Sequence, residues 1–243
     1  RQSEWRALGF VSSRVLEAAL MFAGVAALLT VVTLRQAGVG AEAPEAPRLE
    51  GLWRGEFGDA YVRRNATLDD RRGLFWADLL AGRDIASALE VGCGQGGNLR
   101  HVAAILPPEA VWGVDVNAEA RARARANAPG TNVVAALARA LPFRDGMVDL
   151  AMTVGVLIHQ PDATLPLVMA ELVRVSRRYV LWAEYHADQT IEVPYHGETG
   201  ALLKRDYARL YRELFPELEV CREGFLGEDA GFDRVTWQLL RKR

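Results

Sequence analysis

The chain has little of what builds a disulfide framework or a metal knuckle. Its 243 residues include two cysteines, Cys93 and Cys221, which lie far apart. Such sparse cysteine favours a reducing, cytoplasmic location. Strong charge of either sign is also lacking, because the formal net charge is −2, and this argues against a nucleic-acid partner. A chain of this length buries a large core and needs no disulfide or metal ion to stabilise it. Length and composition therefore fit one α/β domain with additional segments.

Short apolar runs alternate with helix-forming segments after residue 83. Five runs predict strands, at 86–91, 110–115, 132–136, 147–155 and 178–185. Two more strands, around 219–225 and 235–240, follow with only a turn between them. Alternating strands and helices predict a parallel sheet with helices on both faces. The predicted fold class is therefore α/β and Rossmann-like, with seven strands and an antiparallel last strand.

A glycine-rich stretch, LEVGCGQGGNL at 89–99, follows the first predicted strand. Taken from Gly92 it satisfies G-x-G-x-x-G with Gly97 as the third glycine, which is the dinucleotide-binding fingerprint. Taken from Glu90 it satisfies acid-x-G-x-G-x-G with Gly96 as the third glycine, which is typical of S-adenosylmethionine binding. In both patterns a glycine turn lets a cofactor approach the backbone. The glycines alone leave the cofactor open.

Neighbouring features favour S-adenosylmethionine. Asp115 ends the second strand, where an acid accepts hydrogen bonds from ribose hydroxyls of either cofactor. Glu90, however, would repel a pyrophosphate, whereas the ammonium and sulfonium groups of S-adenosylmethionine are cations. Residues 136–157 resemble the adenine-side segment of class I methyltransferases, whose sheet also ends antiparallel. We therefore expect S-adenosylmethionine as cofactor and S-adenosylhomocysteine as product; the alternative is a degenerate domain that binds nothing.

Four further motifs carry a closer resemblance. They are WRGEFGDAYVRRN at 53–65, GVLIHQPD at 155–162, the long segment 179–218 and DRVTWQLL at 233–240. On these motifs the chain resembles the methylases associated with pseudaminic acid biosynthesis, from Leu52 onward and not over residues 1–50. The resemblance implies a small-molecule methyltransferase whose acceptor is a sugar, a sugar acid, or an amino or guanidino metabolite. His196 stands where this family has arginine.

The loop pattern and the resemblance together predict the cofactor contacts. These are Glu90, Gly92, Cys93, Gly94, Gly96, Asp115, Val116, Ala138 and Tyr61. Leu137 occupies a position where many class I enzymes have an acid near the adenine amino group. Adenine recognition is therefore expected to rest on the backbone around Ala138 and on apolar packing.

The predicted catalytic residues follow the fourth and fifth strands. Methyl transfer is an in-line displacement in which the enzyme aligns the acceptor and, for a hydroxyl or protonated amine, removes a proton. The acceptor site lies beyond the carboxyl ends of the strands, where His159, Tyr185 and His186 are placed. His159 suits a general base; alternatively it caps the helix that begins near Asp162.

A larger set is predicted to contact the acceptor. Its members are Tyr61, Arg64, Asn65, His159, Glu184, Tyr185, Tyr195, His196 and Lys204. Simpler roles compete for several positions. Phe57 and Tyr61 would pack a helix on the sheet, and Arg205 would pair with Asp206 at a helix start. Glu184 would orient a histidine or be a solvated strand-end charge. No metal is expected, because His159 with Asp162 and His186 with Asp188 lack a third ligand.

The first fifty residues differ from the rest. Residues 15–34 are almost entirely apolar, and residues 37–51 are rich in small residues and proline, which is typical of a linker. An apolar run of this length suits a membrane anchor, but the arginines before it would place the following domain outside the cytoplasm. We therefore expect residues 1–50 to be an extension, or a helix packed on the domain or a partner, rather than a membrane anchor. A cap segment is predicted at 51–82, and the cofactor-binding domain at 83–243.

Two other function classes stay open at this point. A nucleic-acid- or protein-modifying methyltransferase would carry an N/D-P-P-[YF]-type motif after the fourth strand, where this sequence has VGVLIHQP. A non-catalytic scaffold would bind the cofactor and transfer nothing. The sequence leaves a homo-oligomer open and points to a small molecule as the acceptor.

Overall fold

The structure is a computed structural model, and it describes residues 45–243. The predicted apolar run at 15–34 therefore lies outside the described residues. The helices are α1 Glu45–Arg54, α2 Glu56–Arg64, α3 Arg72–Leu80, α4 Leu99–Ala103, α5 Ala118–Asn127, α6 Leu165–Val175 and α7 Tyr207–Leu214. The strands are β1 Ala88–Val91, β2 Val111–Asp115, β3 Asn132–Ala135, β4 Val148–Val154, β5 Ser176–Glu184, β6 Ile191–Glu192, β7 Leu203–Lys204, β8 Leu218–Leu226 and β9 Val235–Lys242.

Seven strands form one sheet in the order β3-β2-β1-β4-β5-β9-β8. Strands β1 to β5 are parallel to their neighbours, whereas β9 lies antiparallel between β5 and β8. The predicted α/β class, the seven strands and the antiparallel last strand are confirmed. β6 and β7 form a separate two-stranded ribbon.

Helices cover both faces of the sheet. On one face α6 and α7 bury side chains such as Leu172 and Tyr211 against β4 and β5. On the other face α3 and α4 contribute Trp76 and Leu99 to a second cluster. Strands β1 and β4 are buried along almost their whole length because both of their faces are covered, as is typical of parallel sheets.

Helices α1 and α2, called the lid helices below, lie over the carboxyl ends of the strands. Salt bridges join them to three separate parts of the domain: Glu50 to Arg139 at 2.5 Å, Arg63 to Glu119 at 3.1 Å, and Arg48 to Glu198 at 3.2 Å. α1 begins at Glu45, inside the segment for which a linker is predicted. Among the described residues, no helix is long and apolar enough to cross a membrane.

The segment before α7 differs from the prediction. The stretch ALLKRDYARLYRELFP at 201–216 predicts a helix from its helix-forming residues, but residues 203–204 pair with β6 and the helix begins only at Tyr207. Asp206 caps it by accepting a hydrogen bond from the Arg209 amide at 2.9 Å. Arg205 does not pair with Asp206, because its buried guanidinium donates to the Asp162 carboxylate at 2.7 Å.

Candidate active site

One cavity of about 440 Å³ lies between the lid helices and the carboxyl ends of β1, β2 and β4. This is the edge where ligands bind in open α/β sheets. Eight of the nine predicted cofactor residues line it: Glu90, Gly92, Cys93, Gly94, Asp115, Val116, Ala138 and Tyr61. Gly96 is the exception, and its role is steric.

The backbone of the glycine turn separates the two sequence patterns. Gly96 has φ +84°, and a Cβ there would lie 3.0 Å from the Cα of Ala124 in α5. Gly97 has no positive φ, and a Cβ there would make only ordinary contacts, the nearest at 3.7 Å. The third glycine that the turn requires is therefore Gly96. This selects the pattern that begins at Glu90.

Glu90 is a buried carboxylate at the floor of the cavity, 1% exposed. Its Oε1 accepts a hydrogen bond from the Asn98 amide at 2.7 Å, while Oε2 has no partner in the described part of the chain. Burial raises the pKa of Glu90 to about 8. A buried carboxylate with one free oxygen is a site for a cation, and this fits the ammonium group of S-adenosylmethionine.

The amide of Asn98 is held in one orientation. Its Oδ1 accepts hydrogen bonds from Trp76 Nε1 at 3.3 Å and from Arg72 Nη1 at 3.2 Å. The NH₂ group must therefore face Glu90. Asn98, Arg72 and Glu90 all line the cavity, so the floor carries a connected row of polar groups.

Asp115 forms the wall beside the glycine turn. Its two oxygens accept backbone hydrogen bonds from Gly94 at 2.9 Å and Asn117 at 2.8 Å. Burial raises the pKa of Asp115, and these two bonds oppose the shift. Each oxygen keeps a further lone pair, so the fixed carboxylate fits the hydroxyls of a ribose.

The next wall is apolar. Val116, Leu137 and Ala138 line the cavity beyond Asp115. Leu137 bridges to Ala140, which folds this segment into a tight turn. A flat aromatic base would find apolar side chains and backbone here, as the sequence predicts for adenine.

His159 also lines the cavity. Its Nδ1 is 2.5 Å from the carbonyl oxygen of Ala201. Since a carbonyl only accepts, Nδ1 carries the proton and Nε2 carries the lone pair. Burial lowers the pKa of His159 to about 4, so the ring is neutral at pH 7. The helix-cap alternative is wrong, because the residue at the N-cap of α6 is Thr164.

Comparison with known proteins agrees with this geometry. Residues 88–178 match the family described as "Methyltransferase domain". Magnesium protoporphyrin IX methyltransferase from Synechocystis PCC 6803, solved with S-adenosylmethionine, is 13% identical with a TM-score of 0.62 over 84% of this chain and 100% of that chain. An S-adenosylmethionine-dependent methyltransferase from Anabaena variabilis ATCC 29413 is 13% identical with a TM-score of 0.56 over 80% and 95%. Residues 88–178 are thus similar to a methyltransferase domain, and the sheet has the fold of the S-adenosylmethionine-dependent methyltransferases named above.

A curated relative extends beyond this chain. An uncharacterized 37.1 kDa protein in transposon Tn4556 of Streptomyces fradiae is 31% identical over 187 residues. The match covers 71% of this chain and 51% of that protein. The chain thus spans about half the length of this relative.

Aromatic rings from the lid helices lie around His159 in the cavity. Trp53 lies 4.4 Å from the His159 ring, 5.4 Å from Tyr61 and 5.3 Å from Phe57, measured between ring centroids. Tyr195 lies 5.5 Å from His159. One alternative was that Phe57 packs a helix on the sheet. Its ring neighbours instead belong to this aromatic cluster.

Arg64 and Asn65 end the second lid helix and also line the cavity. The guanidinium of Arg64 lies 5.9 Å from the centre of the Phe57 ring and makes no salt bridge within the described residues. The Asn65 side chain donates to the Tyr61 carbonyl at 2.9 Å. Arg64 is therefore an exposed cavity-lining cation that no carboxylate pairs with in the part of the chain that the structure describes.

Of the roles considered for Glu184, its surroundings fit the orientation of a histidine. It is fully buried, and its carboxylate accepts the backbone N–H groups of Val156, Leu157 and Ile158 at 3.0, 3.0 and 3.3 Å. Burial raises the pKa of Glu184 to about 7. Glu184 thus positions the turn that carries His159, and the structure supports neither an acceptor contact nor a solvated charge.

Five other predicted residues do not line the cavity: Tyr185, His186, Tyr195, His196 and Lys204. The Tyr185 hydroxyl donates to Asp233, and Lys204 lies 5.5 Å over the Tyr185 ring. His186 is exposed and bonds Asp188 at 3.1 Å. His196 is exposed, with its ring 4.8 Å from Tyr195. We therefore assign Tyr185 and His186 these contacts outside the cavity and no longer place them among the catalytic residues.

The lining residues that the sequence did not predict include Trp53, Arg72 and Asn98. Trp53 begins the WRGEFGD motif, so the resemblance contains a signal for it. Arg72 and Asn98 follow no pattern that separates them from ordinary helix-start residues. Within residues 45–243 no group of three His, Cys, Asp or Glu side chains is arranged to hold a metal ion.

Proposed function

We propose that the chain transfers a methyl group from S-adenosylmethionine to a small molecule: a sugar, a sugar acid, or an amino or guanidino metabolite. The observation that carries this proposal is that His159 Nε2 faces the same covered cavity as the glycine turn and Glu90. A cavity of about 440 Å³ under a helical lid suits a small acceptor better than a polymer. We propose a cytoplasmic location, where this cofactor is supplied.

The residues present fit the cofactor. Glu90 Oε2 is a buried acceptor without a protein partner, and Gly94 leaves open space where a side chain would stand. When bound, S-adenosylmethionine supplies a methyl group on a positively charged sulfur. The chain's own residues must hold the acceptor in line, exclude water and take up a proton.

His159 is the proposed proton acceptor. Its Nε2 makes no hydrogen bond to the described residues and is not sealed off from the cavity. A neutral imidazole accepts a hydrogen bond from an acceptor hydroxyl or neutral amine and so orients the attacking lone pair. With a pKa of about 4 the ring is a weak base. It therefore takes the proton late, when bond formation has made that proton strongly acidic.

Two features support the choice among acceptors. Trp53 and Tyr61 present ring faces suited to the apolar face of a sugar ring. The free guanidinium of Arg64 is suited to a carboxylate. Together with the resemblance to methylases associated with pseudaminic acid biosynthesis, these contacts favour a sugar acid within the proposed class.

The test is transfer of radiolabelled methyl from S-adenosylmethionine to a panel of sugars, sugar acids, amines and guanidines. We expect S-adenosylhomocysteine to form with one class, and His159→Gln to lose about a hundredfold or more in kcat while S-adenosylhomocysteine still binds. His186→Gln is the matched control, because its ring faces solvent. Label in RNA or protein but in no small molecule would favour the macromolecular alternative. Cofactor binding without any transfer would favour a scaffold.

A further inference from the structure

Residues 185–206, called the connecting segment below, join β5 to α7 and supply a hydrogen bond that fixes the ring of His159. The carbonyl of Ala201 accepts from Nδ1 at 2.5 Å, and Ala201 itself is fully buried. The ring of Tyr195, from the same segment, lies 5.5 Å from the His159 ring. Because the partner of one ring nitrogen decides which nitrogen carries the proton, the place of this segment decides whether Nε2 offers a lone pair.

Arg205 joins the connecting segment to the loop that carries His159. It directly follows β7, and its side chain is 3% exposed. Its Nη2 donates to Oδ1 of Asp162 at 2.7 Å, and Asp162 comes soon after His159 in the chain. Two links, one through Arg205 and one through Ala201, therefore fasten the connecting segment to the loop 159–162.

Stability alone does not account for a buried arginine at this position. The side chain of Asp162 is 90% exposed, so water screens much of its attraction for a cation. Nη1 of Arg205 is buried and has no hydrogen-bond partner among the described residues. Removing a guanidinium from water costs more free energy than one bond to an exposed carboxylate returns. What the guanidinium adds, and an apolar side chain would not, is a directional contact.

The contact of Arg205 lies outside the cavity. Neither Arg205 nor Asp162 lines it, so an effect of this pair on a bound molecule must pass through His159 and its loop. The backbone of Arg205 is fixed as well, because its carbonyl accepts from the Ala187 amide at 3.2 Å. The beginning and the end of the connecting segment therefore meet at Arg205.

We propose that Arg205 is a positioning residue for His159: its bond to Asp162 keeps the Ala201 carbonyl on Nδ1, and so keeps the Nε2 lone pair available in the cavity. The consequence for catalysis rests on the proposed function and deepens it, because it explains what keeps the proton acceptor in one tautomer. Without the contact the proton is free to move to Nε2. A ring that is protonated there accepts no hydrogen bond from the acceptor.

The experiment compares Arg205→Met, Arg205→Lys and Asp162→Ala with the wild-type chain. Asp188→Ala is the matched control, because this aspartate lies on the connecting segment and its side chain is 98% exposed. The first measurement is a long-range nitrogen NMR spectrum of histidine-labelled protein, in which His159→Gln identifies the signals of His159. It needs no acceptor.

The wild-type chain and Asp188→Ala should show His159 with its proton on Nδ1 alone. Arg205→Met and Asp162→Ala should show signals of a ring that is protonated on Nε2, and Arg205→Lys should lie between them and wild type. The second measurement is methyl transfer to the acceptor that the panel identifies. Arg205→Met should lower kcat about tenfold and leave the affinity for S-adenosylhomocysteine within about twofold of wild type. Arg205→Lys should recover part of kcat.

The outcomes separate this proposal from the proposed function. An unchanged His159 tautomer in both Arg205→Met and Asp162→Ala would overturn the proposal, and a lower melting temperature with that tautomer unchanged would make the pair merely structural. If Arg205→Met does not fold, Asp162→Ala decides, because it changes an exposed side chain. If the wild-type chain transfers no methyl group, the proposed function fails, whereas the spectrum still decides whether Arg205 holds His159.

Discussion

The affinity of S-adenosylhomocysteine should depend steeply on pH between 6 and 8 because of Glu90. Burial raises the pKa of this carboxyl to about 8, so its ionised fraction is about 1% at pH 6 and about half at pH 8. Only the ionised form attracts an ammonium. The proton must leave when the ligand binds, and affinity is therefore lost as pH falls below the pKa. We expect binding to be about fifty-fold tighter at pH 8 than at pH 6.

The assay is calorimetry at pH 7 in phosphate and in Tris, whose ionisation enthalpies differ. The difference in heat reports the protons released, which we expect to be about 0.9 per ligand bound. Glu90→Gln is the control, because glutamine does not titrate and should release none from this position. Glu184 titrates in the same window, with a pKa of about 7, but it does not line the cavity. His159, with a pKa of about 4, lies below the window.

A wild-type affinity that does not change with pH, with no proton release, would refute this reasoning. It would mean that Glu90 is already ionised in the free protein or does not face the ammonium. A pH dependence that survives Glu90→Gln would belong to another group. Asp115 is the first to test, since burial also raises its pKa.

Three further predictions concern the cofactor site and the lid. Asp115→Ala should weaken S-adenosylhomocysteine at least tenfold in calorimetry, because ionised acceptors make the stronger hydrogen bonds; unchanged affinity would remove Asp115 from the site. Gly92→Ala should lower the melting temperature by about 5 °C, because its Cβ would lie 2.4 Å from Val156 Cγ2 at φ +72°; a wild-type melting curve would contradict this. Arg139→Gln should speed product release about two- to five-fold in stopped-flow fluorescence, since a half-exposed pair with Glu50 contributes about 0.5–1 kcal/mol; an unchanged rate would show that this pair does not restrain the lid.

The fold could be predicted because its signals are local. Apolar runs, the glycine turn and helix caps each act over a few residues. Asn117, for example, caps α5 by accepting a hydrogen bond from the Ala120 amide at 2.7 Å. The boundary of α7 was wrong because pairing between Leu203–Lys204 and Ile191–Glu192 overrides the helical pattern of the segment. That pairing is a tertiary contact, and local helix propensity does not predict it.

The site was harder to predict because the contacts of its polar side chains are made with residues that are distant in the sequence. Glu184 and Tyr185 are adjacent at a strand end. The Glu184 carboxylate nevertheless accepts hydrogen bonds from three buried backbone amides, whereas the Tyr185 hydroxyl donates to Asp233. Arg72 meets Glu90 only through Asn98. Position at a rim is visible in the sequence, whereas the direction of a side chain depends on elements tens of residues away.

The place of β9 in the sheet has a consequence for biosynthesis. β9 comes after every other strand of the sheet in chain order, yet it pairs with β5 on one side and β8 on the other. During synthesis, β1 to β5 can pair as they leave the ribosome, but β5 keeps an open edge until residues 235–242 have emerged. A ribosome that stalls before this point would expose that edge and the unfilled core beside it. The nascent chain is therefore most exposed to aggregation, and most dependent on chaperones, over the last stretch of translation before β9 is inserted.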